Sequence, residues 1–183
     1  PIWLADHDDQ SAKSLPREIR RIWLVIRNIA CNIEILSQYH PVRLILDTAT
    51  MVAAIRSDAG ASRRLLVAAL ERRLTLLASV PLMIEYQAVM TRPEHLEASG
   101  LSAADVETLL DAVASVAEPV RLAFLWRPSL RDPDDDMVLE AAANGRADAI
   151  VTFNRRDFDK VSARFGVEVL APGEAWRRLE PMK

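Results

Sequence analysis

The chain has one cysteine, five glycines and an aromatic content of only 5%. Each shortage removes a class of explanation. A lone thiol, Cys31, forms no intrachain disulfide and no cysteine-based zinc cage, and it fits a reducing, cytoplasmic setting. Few glycines and few aromatics argue against an all-β sandwich built on many tight turns. No apolar run reaches the roughly 18 uninterrupted residues of a membrane span. The nearest, IWLVIRNIACNIEIL (22–36), carries Arg27 and Glu34. The basic, apolar, small-residue order of a signal peptide is also missing. With a formal net charge of −3 and a pI of about 5.7, no global field draws in a polyanion. That weighs against a nucleic-acid coat, yet leaves room for an enzyme that meets nucleic acid through a local basic patch or a bound metal.

What is present suits one α/β domain with a real core: 183 residues, half of them hydrophobic. Residues 1–40 read as a separate N-terminal extension. There Ser14 and Pro16 open a helix on which Ile19, Ile22, Trp23, Ile26, Ile29 and Ile33 share a face. From 41 to 183 short apolar runs alternate with helical periodicity. VRLILD (42–47), LTLLAS (74–79), VRLAF (120–124), DAIVTFN (148–154) and VEVL (167–170) read as strands. Helices are expected over 62–73, 81–90 and 101–118, the last capped by Ser102 with Asp105 three residues on. Another runs from the aspartates near 132 to Gly145, closing as helices do on a glycine. Two more follow, after Asn154 and after Leu170. Strands separated by helices imply βαβ units, hence a Rossmann-like three-layer α/β/α fold with a central parallel sheet.

In such a sheet the working site lies beyond the carboxyl ends of the strands. Asp47 closes the first run and Asn154 follows the fourth, while Glu85 sits in the apolar setting LMIEYQ. The strongest signal is RDPDDDMVLEAA (131–142), with Asp132, Asp134, Asp135 and Asp136 in five positions. Asp132 before Pro133 explains one carboxylate as a helix cap, and one more in a first turn is ordinary. Two beyond that raise each other's pKa values unless a cation sits among them. A divalent Mg²⁺ or Mn²⁺ ion held by Asp47, Glu85 and one or two of the 132–136 aspartates accounts for them. The three histidines, His7, His40 and His95, lack zinc-binding spacing.

Four stretches in order, LDT (46–48), SVPLMIEYQAVMTRPEH (79–95), RDPDDDMVLEAA and ADAIVTFNRRDF (147–158), resemble the PIN domain. More narrowly, they are similar to toxin components of bacterial type II toxin–antitoxin pairs, the VapC-like ribonucleases. The resemblance runs from 42 to about 180. It implies a metal-dependent ribonuclease whose three or four acids hold Mg²⁺ or Mn²⁺, commonly a homodimer neutralised by an antitoxin protein. By position, Asp47 matches the first-strand acid and Glu85 the acid of the following helix. Within the cluster, DPDD suggests Asp135, with Asp132 nearby and Asp136 at similar spacing. The fourth family acid falls at 154, where this chain has Asn154, and the family's usual Asn after LDT is Ala49 here.

The chemistry implied is metal-assisted hydrolysis of an RNA phosphodiester. Asp47 and Asp135 would hold the ion, Glu85 would ligate or act as base through a water, and Thr152 and Asn154 would position phosphate or water. Of 23 basic residues three are lysine and the other 20 arginine, the better bidentate partner for phosphate. Arg56, Arg63, Arg64, Arg155 and Arg156 are the candidate RNA contacts. Two other readings stand beside this one. Ala49 and Asn154 suit a degenerate PIN domain that binds RNA or protein without cutting. A Mg²⁺-dependent phosphatase also places Asp after a first strand, but would want a lysine beyond an inner strand, and Lys13, Lys160 and Lys183 do not fill that place.

Overall fold

The computed structural model of the chain describes residues 42–125 and 133–179. The proposed helix within 1–40 and the cap at Asp132 lie outside the described residues.

Four of the five apolar runs become parallel strands where the sequence places them. β1 is Arg43–Leu46, β2 Thr75–Ala78, β4 Ala149–Val151 and β5 Glu168–Leu170. Their inner residues, among them Leu44, Ile45, Leu76, Leu77 and Ile150, are buried, as strands covered on both faces require. The fifth run departs from expectation. The strand there is β3, Glu118–Pro119, two residues long and exposed, and 120–125 is irregular. Glu118 and Arg43 explain the shift. The Arg43 guanidinium grips the Glu118 carboxylate through Nη1 at 2.8 Å and Nη2 at 2.7 Å, which fixes β3 at this register. The sheet order is β3-β2-β1-β4-β5, all parallel.

Eight helices join the strands among the described residues. After β1 come α1 (Thr48–Arg56) and α2 (Ala61–Leu70). After β2 come α3 (Val80–Met90), α4 (Pro93–Ser99) and α5 (Ala103–Val116). α6 (Pro133–Gly145) precedes β4, α7 (Arg155–Ser162) follows it, and α8 (Pro172–Leu179) closes the described chain after β5. α2 packs on α1, α5 and α8, whereas α6 lies against β1, β2, β4 and α7. This is the expected three-layer arrangement. Ser102 and Asp105 form a full capping box on α5, each side chain accepting from the other's backbone amide. Two helices, α1 and α4, were not expected from periodicity. α1 opens directly at Asp47, and α4 is only seven residues with no buried position.

α6 ends at Gly145, where the sequence places its end. Gly145 does not supply the left-handed residue; Arg146 does, at φ 52°. Gly145 is needed for closeness instead. A Cβ there would stand 2.7 Å from Val120 Cγ2 and 3.1 Å from Leu77 Cδ1. Without a side chain, the helix end can press onto the β2–β3 edge. Arg43 then caps it, Nη2 donating to the Gly145 carbonyl at 2.9 Å. No helix among the described residues is long and apolar enough to cross a membrane.

Candidate active site

The strand order places a topological switch at β1 and β4. From β1 the chain moves outward to β2 and β3, then returns to the other side of β1 as β4. The crevice at the carboxyl ends of those two strands is where an open α/β sheet binds its ligand.

Asp47 and Thr152 occupy that crevice, one residue past β1 and β4 respectively. The Asp47 amide donates to the Val151 carbonyl at 3.0 Å, extending the β1–β4 ladder by one bond. The Thr152 amide in turn donates to the Leu170 carbonyl at 3.0 Å. Between the two side chains, Thr152 Oγ1 donates to Asp47 Oδ2 at 2.7 Å. Asp47 stands at the N-cap position of α1, yet its side chain makes no capping hydrogen bond. Its carboxylate still faces the first amides of α1, so a helix start accounts for part of its setting. Its carboxylate is 8% exposed, and among the described residues no arginine pairs with it. Burial pushes its pKa above the ordinary value, against the opposing pull of the Thr152 hydroxyl and the nearby amides of Thr48 and Ala49. A buried carboxylate of this kind can serve as an oxygen donor to a cation.

Glu85 reaches the same place from α3. Thr48, next to Asp47, donates its hydroxyl to Glu85 Oε1 at 2.7 Å, and Glu85 Oε2 is buried from solvent. Tyr86, fully enclosed, donates its hydroxyl to the Leu46 carbonyl at the end of β1. Burial drives the Tyr86 pKa well above its usual value, and the charges of Asp47 and then Glu85 raise it further. The Thr48 hydroxyl bond thus holds Glu85 against the residue next to Asp47.

α6 carries the remaining acids. It leads into β4, so its N-terminus lies toward the carboxyl edge of the parallel sheet. Asp136 is 1% exposed and Asp135 half-buried. One turn beyond Asp136, Glu140 is also 1% exposed. Sequence reasoning passed over Glu140, although it stands four residues after Asp136 inside the apolar run MVLEAAA, which puts both on one helix face. Asp132 lies outside the described residues. Among the described residues, no three acids are gathered closely enough to cage an ion as they stand.

Past β4, Asn154 binds differently from the acid expected there. Its amide N–H donates to Thr152 Oγ1 at 3.0 Å, and its side-chain amide donates to the carboxylate of Asp157. Asp157 is a further acid that sequence reasoning missed; its signal was the three-residue spacing at a helix start.

The candidate RNA contacts divide. Arg64 lies over the Trp176 ring at 5.8 Å, and Arg73 lies over the same ring at 5.6 Å, a packing contact with α8. Arg155 pairs with Glu174 at 3.2 Å. Arg63 is half-buried, its Nη1 at 3.5 Å from the Ala54 carbonyl. Arg56 and Arg156 are exposed. A cleft of about 560 Å³ opens near Arg43, Glu118, Arg121 and Arg146. It borders the amino end of β1, one strand length from Asp47, and its central arginine is held by Glu118 and the end of α6.

Residues 43–156 match the family model described as PIN domain. The chain belongs to the PIN domain family. The match begins at β1 and ends just after Asn154, enclosing Asp47, Glu85, Asp135, Asp136 and Thr152. No curated protein matches the chain. PIN domains are generally nucleases and typically bind divalent metal ions. The residues here fit such an ion: the donors at the crevice are carboxylate, hydroxyl and amide oxygens, the set a hard divalent cation takes. Asp47, buried at the end of β1, would be the acid to supply negative charge there.

Proposed function

We propose that this PIN domain is a ribonuclease that depends on Mg²⁺ or Mn²⁺ and hydrolyses phosphodiester bonds. The observation that carries the reading is the buried Asp47 carboxylate, held by Thr152 at the switch point, with Glu85 beside it through Thr48. Asp47, Glu85 and Asp136 would hold the ion; burial favours Asp136 over Asp135, while Asp132 remains a candidate by its place in the sequence. When bound, a divalent ion lowers the pKa of water and offsets charge developing on phosphate oxygens. The chain's own part is to fix the donors. Tyr86 ties the end of β1, Thr152 orients the Asp47 carboxylate, Thr48 orients Glu85, and Asn154 sets the edge where phosphate or water would sit.

The full chain, purified and supplied with about millimolar Mn²⁺, should cut a varied RNA pool and lose that activity in EDTA. An uncut pool under metal-loaded conditions would end the nuclease reading. The biological setting we propose is the toxin of a type II toxin–antitoxin pair, acting in the cytoplasm as a homodimer on RNA and silenced by an antitoxin protein. Expression of the active chain alone should then arrest growth, and the Asp47→Asn chain should not.

A second reading is a PIN domain that binds without cutting. It is favoured by Asn154, whose side chain engages Asp157 where the family places an acid. Membership in the PIN family supports the nuclease reading over the phosphatase alternative.

A further inference from the structure

The cleft beside Arg43 lies at the amino ends of the strands, the opposite end of the parallel sheet from Asp47. Its volume of about 560 Å³ falls in the range of small-molecule pockets. Its walls are held in place. Asn144 uses both ends of its amide to fasten the backbone of 123–124 to α6. Oδ1 accepts from the Ala123 and Phe124 amides at 3.1 Å each, and Nδ2 donates to the Phe124 and Glu140 carbonyls at 2.9 and 2.8 Å. The Val120 amide donates to the Ala78 carbonyl at 2.8 Å, and the bare Gly145 lets α6 close against Val120. A cleft whose walls are already ordered pays little entropy when a ligand enters.

The charges in this cleft do not cancel. Glu118 and the carboxyl end of α6 both line it, and both disfavour an anion. Arg43 answers both of them. Its Nη1 and Nη2 grip Glu118, while Nη2 and Nε reach the Gly145 and Arg146 carbonyls at 2.9 and 3.4 Å. Asp148 accepts from the Arg43 backbone amide at 2.7 Å and does not line the cleft. That leaves Arg121 and Arg146, both exposed residues of the cleft, whose side chains have no partner among the described residues. Cations near a helix carboxyl end are ordinary, but Arg43 already caps this one.

Arg146 also sits in a strained conformation. The Ala147 amide bonds to the Ala142 carbonyl at 2.9 Å and the Arg146 amide to the Ala143 carbonyl at 3.4 Å. That pattern of helix ending favours glycine where Arg146 stands. Glycine does fill the left-handed place after α4, at Gly100 with φ 69°. α2 is followed by Arg72, left-handed as well at φ 56°, but there Nη2 donates to the Ser115 carbonyl at 3.5 Å. Arg146 bears the same strain with its guanidinium unused by the fold.

We propose that this cleft binds a small phosphate monoester, with Arg121 and Arg146 on the phosphate and Pro119 and Val120 against its carbon body. Guanidinium groups suit phosphate because their paired N–H donors match its oxygens. A bounded cleft with two available charges fits a small ligand, whereas an RNA strand needs a basic groove that tracks its backbone. The site is separate from the acids at the other end of the sheet and does not depend on the nuclease reading.

The test uses the full chain in metal-free buffer, where the acids offer no place for a phosphate. Calorimetric titration with adenosine 5′-monophosphate, inorganic phosphate and adenosine compares a whole ligand with its parts. The monophosphate should bind about tenfold or more tightly than either part, since it joins charged hydrogen bonds to apolar contact. Arg121→Gln and Arg146→Gln should each weaken it about tenfold, and the double variant should abolish binding. Arg146→Gly should melt no lower than wild type yet lose the same affinity, which separates binding from folding. Arg164→Gln, at an exposed arginine ahead of β5, should change nothing.

Equal monophosphate affinity in wild type and the double variant would overturn the proposal. So would inorganic phosphate that binds as tightly as the monophosphate and ignores both substitutions, the mark of an adventitious ion only. A single-stranded 12-nucleotide RNA that binds through Arg121 and Arg146 while the monophosphate does not would overturn it as well, because the cleft would then be an RNA contact. None of these outcomes touches the nuclease reading.

Discussion

Thr152 Oγ1 donates to Asp47 Oδ2 at 2.7 Å and joins the ends of two strands that are 105 residues apart in the chain. The bond does two things at once. It lowers the cost of burying a carboxylate, and it fixes the direction in which the other oxygen points. Thr152→Val keeps the shape and removes the donor. The variant should lose about 1.5–3 kcal/mol of stability, the range for hydrogen bonds to charged groups. Its metal affinity should fall as well, because the carboxylate is no longer oriented. Chemical denaturation with and without Mn²⁺ separates the two effects.

Asp47 itself should behave in the opposite sense. Its pKa is raised in the folded protein, so the folded state holds the proton more tightly than the unfolded chain. Metal-free protein therefore gains stability from this group as pH falls through the raised value. The gain is complete once pH lies below the ordinary carboxylate value. At neutral pH the charged form is a burden. Asp47→Asn should raise the metal-free melting temperature by about 2–4 °C for each kcal/mol relieved. It should also abolish the stabilisation by Mn²⁺ that wild type shows. Other carboxylates, such as Asp105 and Glu118, have lowered values and push the other way on acidification. The diagnostic quantity is the difference between wild type and variant across pH. A difference that does not narrow on acidification would contradict the burial argument.

The register of α6 gives the third prediction. Asp136→Asn should remove RNA cleavage and the Mn²⁺ stabilisation, whereas Asp135→Asn should keep most of both. Position in the motif pointed to Asp135. Asp136 was left open there, and its burial, with Glu140 one turn along the same face, is the reason we favour it. Interchanged phenotypes would restore the sequence assignment. Activity and metal response should be compared at temperatures where circular dichroism shows both variants folded.

These elements also show how far the sequence could be read. Asp47 was legible because an apolar strand that ends in an acid is chemically unusual, and the order of strands and helices placed that end at the site. Glu85 was only weakly visible, since its tie to Thr48 spans 37 residues and exists only after folding. Tyr86 and Glu140 looked like ordinary helix positions, one aromatic and one charged, and burial alone gives them meaning. The arginines were the least legible. Arg64 carries the same charge as Arg156, yet stacks on Trp176 from α8, a contact that no local spacing encodes. β3 was displaced for a similar reason, its register set by Arg43 from 75 residues away.

Gly145 and Arg146 make a matched pair. The glycine is required by contact and the arginine is held in a conformation that glycine prefers. Gly145→Ala would drive a Cβ into Val120 and Leu77 and should destabilise by about 1–3 kcal/mol, the usual cost of overpacking. Arg146→Gly relieves a left-handed φ of 52° and should be neutral or stabilising by up to about 1 kcal/mol, part of the gain being lost to the freer unfolded chain. A Gly145→Ala protein as stable as wild type would mean that the α6 end can move off the β2–β3 edge.

Asn154 offers the last and sharpest test, because it is where this chain parts from the acid that its family places after β4. The amide holds Asp157 and its backbone holds Thr152, so the position is coupled to Asp47 through one hydroxyl. Replacing it by Asp puts a carboxylate beside Asp157, and in metal-free protein the two like charges should repel. The melting temperature should therefore fall, and fall less at low pH, where one of the pair is protonated. A divalent ion reverses the balance, since an added charged oxygen strengthens its binding. Asn154→Asp should accordingly be less stable than wild type in EDTA, gain more stability on adding Mn²⁺, and cut RNA at lower metal concentration. Calorimetric titration with Mn²⁺ reads the affinity without reference to catalysis. Should Asn154→Asp lose stability in EDTA and bind Mn²⁺ no more tightly than wild type, position 154 would lie outside reach of the ion. The amide at that position would then serve only the start of α7.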